Sequence, residues 1–120
     1  MKNAKLQNCI KLASKVTVYV PGTNGIDKAA DNTVAVDATA TLLSDLFGGA
    51  TSTPARGYWV SPSAGLVKEN TTVVFAYASE AALDSGIDSV VDHCAKMCKE
   101  LAQDAIALEV NGEMYFIEAN

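Results

Sequence analysis

Within five residues, Ala55-Arg56-Gly57-Tyr58-Trp59 gathers the only Arg of the chain, its only Trp and one of its four Tyr. An Arg beside aromatic rings can clamp a carboxylate or phosphate, or stack on a flat ligand. Glu69 follows ten residues after Trp59, in Leu66-Val67-Lys68-Glu69-Asn70, which reads as a turn. Given burial and a partner, its carboxylate would serve as an acid or base. Arg56, Tyr58, Trp59 and Glu69 are therefore the candidate lining of a small-ligand cleft. The glycine pair just upstream, in Leu46-Phe47-Gly48-Gly49-Ala50-Thr51, is no phosphate cradle. A cradle needs a strand before it, a helix after it and a Lys-Ser/Thr ending. Here a helix precedes the glycines and points its negative end at them, which repels anions. The pair reads as a helix C-cap and hinge into the next strand.

Other reactive residues point away from chemistry. His93, the only His, sits in Asp92-His93-Cys94-Ala95-Lys96-Met97-Cys98. Cys94 and Cys98 share the apolar stripe of Leu83, Ile87, Val91 and Leu101, so they read as core residues, with His93 beside the stripe. A structural zinc site needs four ligands, and no second CxxC or HxxxH is present, so no metal is expected. No Ser or Cys partner for His93 can be named, which leaves no nucleophile–base pair and no catalytic residue. Asp84, Asp88 and Asp92 recur every four residues as an acidic ridge. That spacing suits a solvated face or a docking stripe for a basic partner.

These residues are positioned by a recognisable succession of elements. Residues 3–13 have the spacing of a short helix, and Lys15–Val20 alternates as a strand with Val16, Val18 and Val20 on one face. Residues 33–47 are helical, capped by Asn32 or Thr33 and striped by Val36, Ala40, Leu43 and Phe47. Residues 55–60 form a short strand, and after a turn at Ser61, Pro62 and Gly65 a strong strand covers 71–78. Ser79 opens the longest helix, which Gly86 invites to kink. Asn111-Gly112 predicts a type I′ hairpin pairing Val110 with Glu113, Leu108 with Tyr115 and Ile106 with Ile117.

The order predicts a single α+β domain over residues 1–120. It is ferredoxin-like, βαββαβ, with an N-terminal helix and a C-terminal hairpin, its antiparallel sheet covered by helices on one face. The other face would carry Tyr19, Met114 and Phe116, with Phe75 or Tyr77 nearby. Such a patch marks a partner or ligand surface unless the N-terminal helix covers it.

Composition narrows the function. The 120 residues carry a formal charge of −5, with nine Lys and Arg and no basic cluster, which argues against a nucleic-acid backbone binder. No apolar run approaches the roughly 20 residues that span a bilayer. The interrupted N-terminal stretch lacks a signal-peptide core, and three Cys argue against a disulfide framework, so a cytoplasmic location is expected.

The run Leu42-Leu43-Ser44-Asp45-Leu46-Phe47-Gly48-Gly49-Ala50-Thr51, then Gly57-Tyr58-Trp59, a glycine turn and Glu69 before a strand, resembles small uncharacterised proteins encoded by phages, plasmids and integrative elements. It is also similar in layout to uncharacterised bacterial families of ferredoxin-like α+β fold. The resemblance covers residues 33–78 and implies a fold and a mobile-element setting, with no activity or cofactor. The leading expectation is a small non-catalytic binding protein that homodimerises through the open sheet face or meets a protein partner there. In that reading Tyr19, Phe75, Tyr77, Met114 and Phe116 form the interface, with Asp84, Asp88 and Asp92 as a docking ridge. Its rival is a small-ligand sensor or enzyme of the dimeric α+β barrel type, with its cleft near Arg56 and Trp59. An acidic inhibitor of a nucleic-acid-binding system is a third, needing its carboxylates gathered on one face.

Overall fold

A computed structural model of the chain describes residues 3–25 and 28–120. Ten elements follow in order: α1 (Ala4–Gln7), β1 (Ser14–Pro21), β2 (Thr23–Asn24), β3 (Lys28–Ala29), α2 (Thr33–Phe47), β4 (Thr51–Ser61), β5 (Gly65–Ala78), α3 (Glu80–Glu100), β6 (Ile106–Val110) and β7 (Glu113–Ile117). Five strands make one antiparallel sheet in the order β4-β5-β1-β6-β7. An α+β layout is thus shown, with β1 at the centre.

Alternation along the strands selects the face that meets the helices. Val16, Val18 and Val20 are fully buried and share a face with Val74 and Ala76 of β5 and Leu108 of β6, by the register Val18↔Val74, Val16↔Ala76 and Val18↔Leu108. Leu43 of α2 and Leu83, Val90, Cys94, Met97 and Cys98 of α3 complete the core. The Ser79 hydroxyl accepts from Ala82 N at 3.1 Å to start α3, which then runs unbroken to Glu100. The kink expected at Gly86 does not occur. Gly86 is buried, and a Cβ there would meet Phe47 and Leu46 of α2 at 3.2 and 3.4 Å, so the missing side chain lets the helices approach.

The strands exceed their expected lengths. β4 begins at Thr51 rather than 55, and β5 begins at Gly65, so Glu69 lies within a strand opposite Gly57 and not in a turn. Because β1 stops at Pro21↔Thr71, residues 56–70 form a two-stranded arm with no third strand beside it. At ~3.3 Å per residue the arm reaches roughly 23 Å past the sheet, in a molecule measuring 55 × 26 × 22 Å.

The C-terminal hairpin has the expected register throughout, and Asn111 and Gly112 both take positive φ, 52° and 84°. Asn111 also anchors it: its Oδ1 accepts from Lys15 N at 2.8 Å and its N–H donates to Lys15 O at 3.0 Å. At the other end the expected helix over 3–13 shrinks to the four residues of α1, capped by Asn3 and burying nothing. Ile10 is 95% exposed, so this segment does not cover the sheet's second face. The stripe of Leu6, Cys9, Ile10 and Ala13, with no buried residue in α1, cannot sustain a helix that propensity alone leaves marginal.

Candidate functional site

Alternation along β4 and β5 sets the faces of the site. Trp59 lies opposite Val67 and Gly57 opposite Glu69, which puts Trp59 and Glu69 diagonally on one face of the arm. That is the face carrying Phe75 and Tyr77, away from the helices. Trp59 Nε1 donates to Glu69 Oε1 at 2.7 Å. The bond fixes one carboxylate oxygen, and among the described residues the other takes no hydrogen bond. With Gly25, Ala102, Gln103, Asp104 and Ala105 the pair lines a cavity of about 220 Å³.

The wall opposite Trp59 is the turn between α3 and β6. It is held to the strap after β1 by Gly25 N donating to Leu101 O at 3.0 Å. Gln103 Nε2 adds bonds to Thr23 O at 3.1 Å, Gly25 O at 3.1 Å and Leu101 O at 3.0 Å. Gly22 closes the strap on the arm, its N–H donating to Asn70 O at 2.8 Å. Nothing in local sequence pattern marks Gln103, whose partners on the strap are 78 and 80 residues away.

The four sequence candidates are not brought into one cavity. Arg56 and Tyr58 fall on the opposite face of the arm, since Arg56 pairs with Asn70 and Tyr58 with Lys68. Arg56 lines a neighbouring cavity of about 270 Å³ with Gly22, Thr23, Ala29, Lys68, Glu69 and Asn70. Tyr58 is exposed and lines neither. The period of two in a strand separates residues 56 and 58 from 59.

Further along the open face, Tyr19 donates its hydroxyl to Glu109 Oε1 at 3.1 Å. Burial and then the carboxylate raise the Tyr19 pKa, keeping the phenol protonated. Glu109, beside the hairpin turn, is half-buried. Lys15 Nζ lies 4.6 Å from the Phe75 ring centre and 5.5 Å from that of Tyr77, which meet edge to face. Tyr77, Met114 and Phe116 stay exposed, so the expected aromatic face exists and is open.

On the helix side, His93 Nε2 and Thr39 Oγ1 lie 2.8 Å apart. Thr39 is fully buried and donates to Ala35 O at 2.8 Å, which leaves its oxygen to accept from His93 and puts the imidazole proton on Nε2. Burial, then Lys96, lower the His93 pKa from 6.5, against an opposing effect of Glu100. The unfolded chain therefore binds a proton that the folded chain resists. Stability present above about pH 6.5 should be lost as pH falls through and below that value. Thermal melts between about pH 7.5 and 5.5 should show this loss, and His93→Gln should flatten it; an unchanged slope would refute the assignment.

Cys94 and Cys98 are buried in the core, with burial pushing the Cys94 thiol up to about 12, where it is inert as a nucleophile. Asp84, Asp88 and Asp92 are exposed on α3, and the ridge gives way to Lys96 and Lys99 one turn later. No group of three His, Cys, Asp or Glu among the described residues is arranged to hold a metal ion. Among the described residues no helix is long and apolar enough to cross a membrane.

No protein-family model and no curated protein matches the chain. Among solved structures it is similar to a phage SAM lyase in complex with S-methyl-5′-thioadenosine. The TM-score is 0.66 and the identity 14%, over 93% of this chain and 94% of that one. A phage SAM lyase in its apo state aligns with a TM-score of 0.65 and 17% identity, over 93% of this chain and 96% of that one. A Bacillus cereus protein related to NIF3 aligns at 0.44 and 16%, over 88% of this chain and 26% of its own. At these identities what is shared with the phage lyase is the fold, along nearly the whole of both chains.

Proposed function

We propose that this chain binds an adenosine-bearing sulfonium compound at the Trp59–Glu69 cavity and acts on it as a lyase. The observation that carries the reading is the Glu69 carboxylate held by the Trp59 indole at 2.7 Å on the open sheet face. A sulfonium cation beside an aromatic base asks for a carboxylate and a stacking surface, and this pair offers both. A chain of net charge −5 attracts such a ligand rather than an anionic one. The full-length likeness to a phage SAM lyase supports the choice of ligand and a phage or mobile-element setting. The strand order, with each helix crossing over a strand that separates two parallel ones, supports reading the fold as ferredoxin-like.

The chemistry requires little machinery. The carboxylate of the substrate's own amino-acid chain attacks the chain carbon bound to sulfur as that carbon–sulfur bond breaks. The bonding pair goes to sulfur, which becomes a neutral thioether, and the amino-acid chain leaves as a lactone. A carboxylate that steadies the cation, with aromatic walls that exclude water, is sufficient equipment, and no cofactor enters. The cavity is small and open to solvent, so we place a second copy of the chain over it. Self-association would also cover Tyr58, Val60 and Leu66, exposed on an arm that two strands alone hold only marginally.

Added S-adenosylmethionine or S-methyl-5′-thioadenosine should quench or shift Trp59 fluorescence, since no other Trp contributes. Incubation with S-adenosylmethionine should release S-methyl-5′-thioadenosine on chromatography. A silent Trp and intact substrate would sink the reading.

The alternative of a non-catalytic binding protein rests on Tyr77, Met114 and Phe116, which stand exposed along the sheet away from the cavity. Light scattering separates its homodimer form from a monomer, and substitution of Phe116 by Ser should weaken that dimer without altering ligand binding.

A further inference from the structure

The Nε2 group of Gln103 faces the carbonyls of Thr23, Gly25 and Leu101, within 3.0 to 3.1 Å of each. Only an amide NH₂ can face three carbonyl oxygens, so the surroundings themselves fix which end of the side chain is nitrogen. Nε2 also lies 3.4 Å from Thr23 Oγ1. The amide nitrogen is thus committed to the protein. Among the described residues the amide oxygen takes no hydrogen bond, and Gln103 as a whole is half-buried. Gln103 lines the same cavity as Trp59 and Glu69.

We propose that Gln103 is a specificity residue, its amide oxygen accepting a hydrogen bond from the exocyclic amino group of the adenine base. The inference rests on the ligand reading above and goes beyond it by assigning how the base is told from other purines. Three features converge. At about 220 Å³ the cavity is smaller than the roughly 300–1,000 Å³ of sites that swallow a whole ligand, so it holds a planar fragment. Trp59 supplies a face for that fragment to stack on. Gln103, across the cavity on the turn between α3 and β6, supplies an acceptor whose orientation the bonds at Nε2 have already fixed. An acceptor held in advance loses little entropy when a donor arrives, whereas a ligand lacking that donor leaves water displaced and nothing in its place.

The experiment compares S-methyl-5′-thioadenosine with its analogue lacking the 6-amino group, by calorimetry or Trp59 fluorescence. The chain should favour the amino ligand by about tenfold, the value of one ordinary hydrogen bond. Gln103→Met keeps the side-chain length, removes the amide oxygen and should bring the ratio close to one. A purely structural role for Gln103 would weaken both ligands together and leave the ratio unchanged. Equal binding of both ligands by the unsubstituted chain overturns the assignment of Gln103 and leaves the adenosyl-ligand reading intact. So does a full preference retained in Gln103→Met. Binding of neither ligand overturns the reading of function, and this inference with it. If Gln103→Met fails to fold, the ratio measured on the unsubstituted chain still decides.

Discussion

Glu69→Gln should lower the affinity for S-adenosylmethionine by about ten- to a hundredfold, the range expected when one charged partner of a polar contact is neutralised. The same change should leave the affinity for neutral S-methyl-5′-thioadenosine within about threefold. The amide oxygen of Gln can still accept from Trp59 Nε1, so the 2.7 Å bond and the arm's local geometry survive. Only the negative charge is lost. Glu69 is half-buried on an arm outside the core, so the melting temperature should stay nearly constant, with a stability change below about 0.5 kcal/mol. Calorimetric titration of both ligands against both proteins reads the result. Equal weakening of the two would mean that Glu69 shapes the cavity without sensing charge. No weakening of either would remove Glu69 from the site.

The largest loss of stability outside the core is expected at Gly22. A Cβ there would sit 2.5 Å from Asn70 O and 3.1 Å from Asn70 C, both backbone atoms of β5 that cannot swing aside. The contact also carries the bond from Gly22 N to Asn70 O that ties the strap to the arm. Gly22→Ala should therefore destabilise by about 2 kcal/mol, as over-packing of a tight site does. For a domain of this size that is a fall in melting temperature of roughly 8 °C. Asn70 follows Glu69, and the strap carries Thr23 and Gly25, so ligand affinity should fall with stability. Gly49→Ala is the companion measurement: nothing lies within 4 Å of its added Cβ and its φ is not positive, so stability should hold. If Gly22→Ala melts like the unsubstituted chain, the strap is not locked to β5.

Burial and site were legible to different depths. The alternation of Val16, Val18 and Val20, the stripe through Leu83, Cys94 and Cys98, and the Asn111-Gly112 turn are local patterns, and each names the face it buries. Gly48 as a left-handed C-cap, φ 95°, was equally readable, because only a residue without Cβ adopts that angle cheaply. The polar partners were not. Thr39 with His93, Tyr19 with Glu109, and Gln103 with Thr23 and Gly25 lie 54, 90 and about 80 residues apart. No spacing rule reaches that far.

By itself, then, the amino-acid sequence determined which residues are apolar together at period two or near four and where the chain turns, and it named Arg56, Tyr58, Trp59 and Glu69 as candidates for a ligand site. Tertiary structure decided which of the four share a cavity. Register divides Trp59 from Arg56 and Tyr58, because neighbours in a strand point to opposite faces. Glu69 borders the cavities of both Trp59 and Arg56, and it belongs to a strand only because β4 and β5 continue past the end of β1. It also brought Gln103 to them, through a turn that no local pattern ties to the arm. Local sequence sets backbone preference and the side that seeks burial; which distant polar group answers a carboxylate or an amide is settled only when the sheet is assembled.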